Sequence, residues 1–237
     1  DPLDIPGLVR RSVLSDEELR QWLSDTIATI RNRPLRSLLE DNLGEGSCWR
    51  REYLRVPAGL HYHHAYLGGL ADHVREMAEV WQSSVSTFPR VDRDLTLGGI
   101  LLHDIGKLDT FSSGAMPQIA ESGRYMDHIT AGIGRLTLAM DARHDFPPLL
   151  RDHLLHILAS HHGEKEHGSP VVPATREAIV VHHLDRMSSL LSHLDEWTRQ
   201  SRVDQFGWST DASPWLKTSV ALATTIPDDF LSPDEQA

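Results

Sequence analysis

The chain has 237 residues, 40% hydrophobic and 24% charged, with a formal charge of −11, the composition of an ordinary folded protein. That acidic balance excludes a broad electrostatic grip on nucleic acid, because such binding rests on Lys and Arg neutralising phosphates; only a local basic groove escapes the objection. The single cysteine, Cys48, excludes an intrachain disulfide and a multi-cysteine metal site, and no apolar run reaches the roughly 18 residues that span a bilayer.

The opening DPLDIPGLVRR lacks the basic and apolar segments of a signal peptide, so the cytoplasm is the expected compartment. The first residue is Asp1 rather than Met, which leaves room for an upstream segment. In SDEELRQWLSDTIATIRN, Ser15 and Glu18 have capping-box spacing ahead of apolar residues at helical intervals. NRPLRSLLEDNL reads as a second, shorter helix. Between Tyr66 and Val85, the residues Leu70, Val74, Met77 and Trp81 form one apolar stripe. Further helices are expected over 92–107, 127–143, 149–161 and 174–199, with Pro147 and Pro148 breaking the pattern before the third of these. The Ser- and Gly-rich stretch 110–126 reads as a loop with a short hairpin. Beyond Val203 the expectation is a packed turn followed by a frayed end. No strand–helix alternation is present, so the fold class is all-α.

The 15 histidines are unevenly placed. His61, His63, His64 and His73 surround one helix start, His103 adjoins Asp104, His128 follows Asp127, His161 and His162 are adjacent, and His182 and His183 precede Asp185. His73 shares the stripe of Leu70, Val74 and Met77, while Leu149, His153, Ile157 and His161 recur at i, i+4, i+8 and i+12 along what reads as one buried face. A lone histidine on an apolar face is more often a hydrogen-bonded core residue than a ligand. Four helices that each turn His or Asp inward reverse that reading, because a shared cation is the economical way to bury so many imidazoles and carboxylates. Imidazole nitrogen and carboxylate oxygen suit one or two divalent transition-metal ions, Mn, Fe, Co, Ni or Zn, with Mg possible where oxygens dominate.

Adjacent helical residues point about 100° apart, so one ion lying between those directions can take both His103 and Asp104. The two oxygens of Asp104 allow it to bridge two ions, a geometry suited to attack on phosphorus. Lys107, four residues beyond His103 on what reads as the same helix face, is placed to meet a substrate phosphate. GKL is not a phosphate-binding loop, since the required upstream Gly and following Ser or Thr are missing.

Five ordered blocks, HHAYLGGLADHVREM, GILLHDIGKLDT, YMDHITAGI, LASHHGEKEHGSP and VVHHLDRMSS, resemble the HD-domain metal-dependent phosphohydrolases. Within that superfamily the chain is most similar to bacterial 3′-5′ exoribonucleases that join an OB-fold to an HD domain. The resemblance runs from about residue 20 to residue 207. It implies an HD helical bundle over 48–207, with N-terminal helices at 1–47 packing on it and a tail over 208–237. It makes His73, His103, Asp104 and Asp185 one metal site. His128 and His161 belong to a second, with His162 as an alternative ligand or proton donor. Lys107 would touch phosphate, and His64, Tyr66 and Gly68 would border the substrate, with Glu164 in the loop at the mouth. The implied activity is hydrolysis of a phosphodiester, 3′-5′ on single-stranded RNA or DNA, with no membrane partner. A nucleotide or cyclic-dinucleotide phosphohydrolase is the alternative enzyme, and a non-catalytic module of a conjugative relaxase-type protein the alternative without turnover. The chain departs from the exoribonuclease branch in showing no OB-fold, the part that would grip a single strand.

Overall fold

The computed structural model describes residues 10–60, 63–112, 114 and 118–221, and among these the chain is helical with isolated β-bridges and no sheet. The helices are α1 (Asp16–Ala28), α2 (Arg33–Leu43), α3 (Cys48–Tyr53), α4 (Gly69–Ser84), α5 (Arg93–Leu102), α6 (Lys107–Thr110), α7 (His128–Asp141), α8 (Pro148–Ser160) and α9 (Arg176–Gln200). None of them is long and apolar enough to cross a membrane.

Local signals start most of these helices. Ser15 accepts from the Glu18 amide while the Glu18 carboxylate accepts from the Ser15 amide, satisfying two orphan donors of α1. Asn32, Asp92 and Asp127 cap α2, α5 and α7 with the side chain alone, accepting from the amides of Leu35, Leu95 and Thr130. The stripe Leu70, Val74, Met77 and Trp81 is buried on α4 as the periodicity requires. Every residue of α5 from Asp94 to Leu102 is buried, so this helix is the axis of the fold, packed by α2, α4 and α8, while α7 packs on α6 and α8.

Two expectations fail in instructive ways. The helix expected over 92–107 ends at Leu102, and residues 103–106 form a tight turn before α6. Bonds from Ile105 to Leu102 and from Lys107 to Asp104 replace the wider helical pattern. A Cβ at Gly106 would sit 1.9 Å from the His128 carbonyl, so only glycine lets the start of α7 approach this turn. On α8, Leu149 is 71% exposed although Ile157 and His161 are buried. A strict i+4 row advances about 40° per step, so three steps carry its first member off the core face.

Among the described residues after α6, an antiparallel bridge joins Phe111 to Ile119, consistent with the expected short hairpin. By contact the chain divides into two compact units, residues 1–190 and 191–237. In the second, bridges join Val203 to Ser209 and Trp208 to Ala221. Of the tail expected over 208–237, residues 222–237, the part expected to fray, lie outside the described residues, as does His61.

Candidate metal centre

Burial of α5 on all sides means that residues at its C-terminal end emerge inside the protein, not at its surface. There His103 caps α5 and Asp104 occupies the following turn, and both are at most 2% exposed. His73 reaches them from α4, Asp185 from α9, His128 from the first position of α7, and His161 from the C-terminal cap of α8 with His162 next to it.

The Nε2 atoms of His73 and His103 are 3.3 Å apart, and His73 Nε2 is 3.2 Å from Asp185 Oδ1. Asp104 stands between two groups of side chains. Its Oδ2 is 3.3 Å from His103 Nε2 and 3.9 Å from His73 Nε2, whereas its Oδ1 is 3.5 Å from His128 Nε2 and 3.6 Å from His161 Nε2. His73, His103 and Asp185 thus form one set whose ligand atoms converge, and His128, His161 and His162 form another.

Hydrogen bonding fixes which nitrogens are available. Nδ1 of His103, His161 and His162 lies 2.8–2.9 Å from the carbonyls of Ile100, Leu158 and His167. A carbonyl only accepts, so each Nδ1 carries a proton, and in the neutral form of such a ring the lone pair on Nε2 faces the centre. Asp104 Oδ1, His128 Nε2 and His161 Nε2 are buried with no hydrogen-bond partner. Three orphaned atoms around one point suit a cation, which relieves the cost of leaving them unsatisfied.

The family model of the HD domain matches residues 68–190, more than half of the chain and inclusive of every converging residue above. This chain belongs to the HD-domain family. HD domains bind divalent metals, and the family is typically one of metal-dependent phosphohydrolases. No solved structure matches the chain.

The electrostatics of this HD domain favour ready ligands. Burial holds His73 and His128 neutral, with pKa values lowered to about 4 and about 3, and burial and the neighbouring His161 lower His162 to about 4. Burial opposes charge on Asp104 too, but Lys107 and His103 outweigh it and hold the carboxyl well below its ordinary range. For His103 the carboxylates of Asp104 and Asp185 overcome burial and raise its pKa.

The remaining candidates are placed differently. Lys107 is buried and its ammonium contacts Asp104 Oδ2, not through a continuous helix face but across the turn that replaces it. His64 is buried at a φ of 43° and bonds Glu76, with its ring centroid 5.5 Å from that of His73. The Tyr66 hydroxyl donates to Asp72, and Gly68 caps α4 at a φ of 81°, so both serve the entrance to that helix. Glu164 is not drawn to the converging atoms; its carboxylate is largely exposed, 4.0 Å from His167. Sequence reasoning missed Glu76 and Ser188, and noted His182 only as part of a cluster. Glu76 and Ser188 bond each other behind His73, while His182 Nδ1 donates to the His161 carbonyl. The signal for the first two was spacing, since each lies one helical turn beyond a ligand, Glu76 after His73 and Ser188 after Asp185. His63 was noted only as part of a cluster, yet its ring centroid lies 5.6 Å from that of His73.

Proposed function

We propose that the chain is a phosphodiesterase that removes nucleotides from the 3′ end of single-stranded nucleic acid. The observation that carries the hydrolytic part is the Asp104 carboxylate, with one oxygen turned to each set of converging side chains. His73, His103, Asp185 and Asp104 Oδ2 would hold one ion, and His128, His161, His162 and Asp104 Oδ1 a second. When bound, such ions activate water and offset charge on the phosphate oxygens. Lys107, buried beside Asp104, adds a fixed positive charge for the non-bridging oxygens. His162 suits a ligand better than a proton donor, because its Nδ1–H is engaged by the His167 carbonyl and its ring is held neutral.

The nucleic-acid substrate rests on the resemblance of the five blocks, taken together, to the exoribonuclease branch of the superfamily. A formal charge of −11 gives little general attraction to a polyanion, so affinity is expected to be poor and only shallowly salt-dependent. The test is product length against time on a 5′-labelled single-stranded RNA 10-mer with Mn2+, beside a panel of mononucleotides and cyclic dinucleotides. A ladder shrinking from the 3′ end is the expected result. Release of phosphate from mononucleotides with the 10-mer intact would replace this reading with the nucleotide phosphohydrolase.

A further inference from the structure

The imidazole of His73 is held on both edges. Its Nε2 faces Asp185 and His103, while its Nδ1 lies 3.0 Å from Ser188 Oγ. Ser188 Oγ is in turn 2.6 Å from Glu76 Oε2, and the other oxygen of Glu76 is 3.1 Å from His64 Nε2. Glu76 is a carboxylate, which only accepts, and its pKa stays low because His64 and Ser188 outweigh its partial burial. The single hydroxyl proton of Ser188 is therefore committed to Glu76, and Ser188 can only accept from His73. That leaves the proton of His73 on Nδ1 and the lone pair on Nε2, toward the centre.

We infer that Ser188 and Glu76 are positioning residues which, through a relay from His64 to Glu76 to Ser188 to His73, fix the tautomer and orientation of His73 and so raise the affinity of the first metal site. The inference rests on the metal-site reading proposed above. His103 and His161 obtain the same orientation from carbonyls of their own helices. His73 cannot, since it lies mid-helix, where the preceding carbonyls are taken by backbone amides, and it borrows a hydroxyl from α9 instead. Matching one-turn spacings, 73 to 76 on α4 and 185 to 188 on α9, place ligand and support side by side on both helices. The Glu76 carboxylate, between His64 and Ser188, makes the bonds it accepts charge-assisted, and through Ser188 this makes the His73 imidazole a better donor to a cation.

The test uses the full chain with Ser188→Ala, Ser188→Thr and Glu76→Gln, and Mn2+ as the probe. Calorimetry in chelator-treated buffer gives the affinity of each ion, and the thermal midpoint in EDTA gives the stability of the metal-free fold. Nitrogen-15 NMR of the imidazoles reports the His73 tautomer without any metal. Ser188→Ala is expected to weaken the first ion by about 10- to 100-fold, to leave the second within about threefold, and to lose the Nδ1–H preference of His73; Ser188→Thr should keep both. Glu76→Gln, which preserves size, should weaken the first ion by several-fold and serves if Ser188→Ala does not fold. Unchanged affinity and tautomer with a lowered EDTA midpoint would reduce the relay to a clamp between helices and overturn the inference. Failure of wild type to bind Mn2+ would instead overturn the metal-site reading itself, and with it the inference.

Discussion

The two sets of converging side chains differ in how they are held. His73 and His103 are fully buried, Asp185 gives their set a carboxylate of its own, and the nitrogens lie close to hydrogen-bond or ionic partners. His128, His161 and His162 are imidazoles only, with His128 and His162 less buried, and two of the three Nε2 atoms that meet there or beside Asp104 have no partner. The first set is knit into α4, α5 and α9, and protein atoms already satisfy much of it. The second contains no carboxylate of its own and is approached by Asp104 Oδ1, 3.5 Å from His128 and 3.6 Å from His161. A cation should accordingly be held more firmly by the first set and exchange more readily at the second.

Replacing the residue common to both sets has the largest consequence. Asp104→Ala should abolish binding of both ions and lower hydrolysis by about a thousandfold or more, with helical content unchanged by circular dichroism, because bridging is lost and an uncompensated Lys107 remains. Retention of one tightly held ion by elemental analysis would show that the carboxylate is not shared.

Separation of the sets is tested next. His161→Ala should reduce metal content from about two ions to about one while the first keeps its affinity, and His73→Ala should weaken the first by more than the roughly 10- to 100-fold that loss of a supporting partner costs. Equal loss of both ions in either variant would break the distinction between a firm and an exchangeable site.

A smaller effect is expected at Lys107, whose ammonium competes for Asp104 Oδ2. Lys107→Ala should retain or tighten metal binding by calorimetry and lower kcat/KM by roughly tenfold, since only an anionic substrate uses that charge. Full activity on every substrate turned over by wild type would remove Lys107 from the site.

A contrast of a different kind is one of pH. In chelator-treated protein, His73, His128 and His162 have folded-state pKa values below the unfolded value of about 6.5, so below that pH the unfolded chain binds protons that the folded chain does not. Stability should therefore fall as pH drops from about 6.5 toward 4, by on the order of 1 kcal/mol per pH unit for each ring. Loss of the carboxylate contributions of Asp104 and Asp185 should steepen the fall below about pH 4. His103 acts in the opposite sense, its contribution being lost as pH rises through its raised value. Urea titrations across pH check the sign; His128→Asn should flatten the decline, and a curve independent of pH between 4 and 6.5 would contradict the buried, neutral state of these rings.

Linear order made the helical class and most helix limits legible, because caps and apolar periodicity act within a few residues: Ser15 with Glu18, Asp127 ahead of His128, and the Leu70 to Trp81 stripe on α4 can all be read without a fold. Residue types likewise pointed to a shared cation, since buried imidazoles and carboxylates call for one wherever they meet, and the resemblance to the HD-domain phosphohydrolases singled out His73, His103, Asp104, His128, His161 and Asp185 among them. The break after Leu102 was hidden, because its cause is the approach of α7 to Gly106 from more than 20 residues away. So was the division of Asp104 into one oxygen for each set, and so were the parts played by Glu76 and Ser188. Such features depend on which helices lie side by side and on the direction of individual lone pairs, and local chemistry along the chain carries no record of either until packing brings distant residues within hydrogen-bond reach.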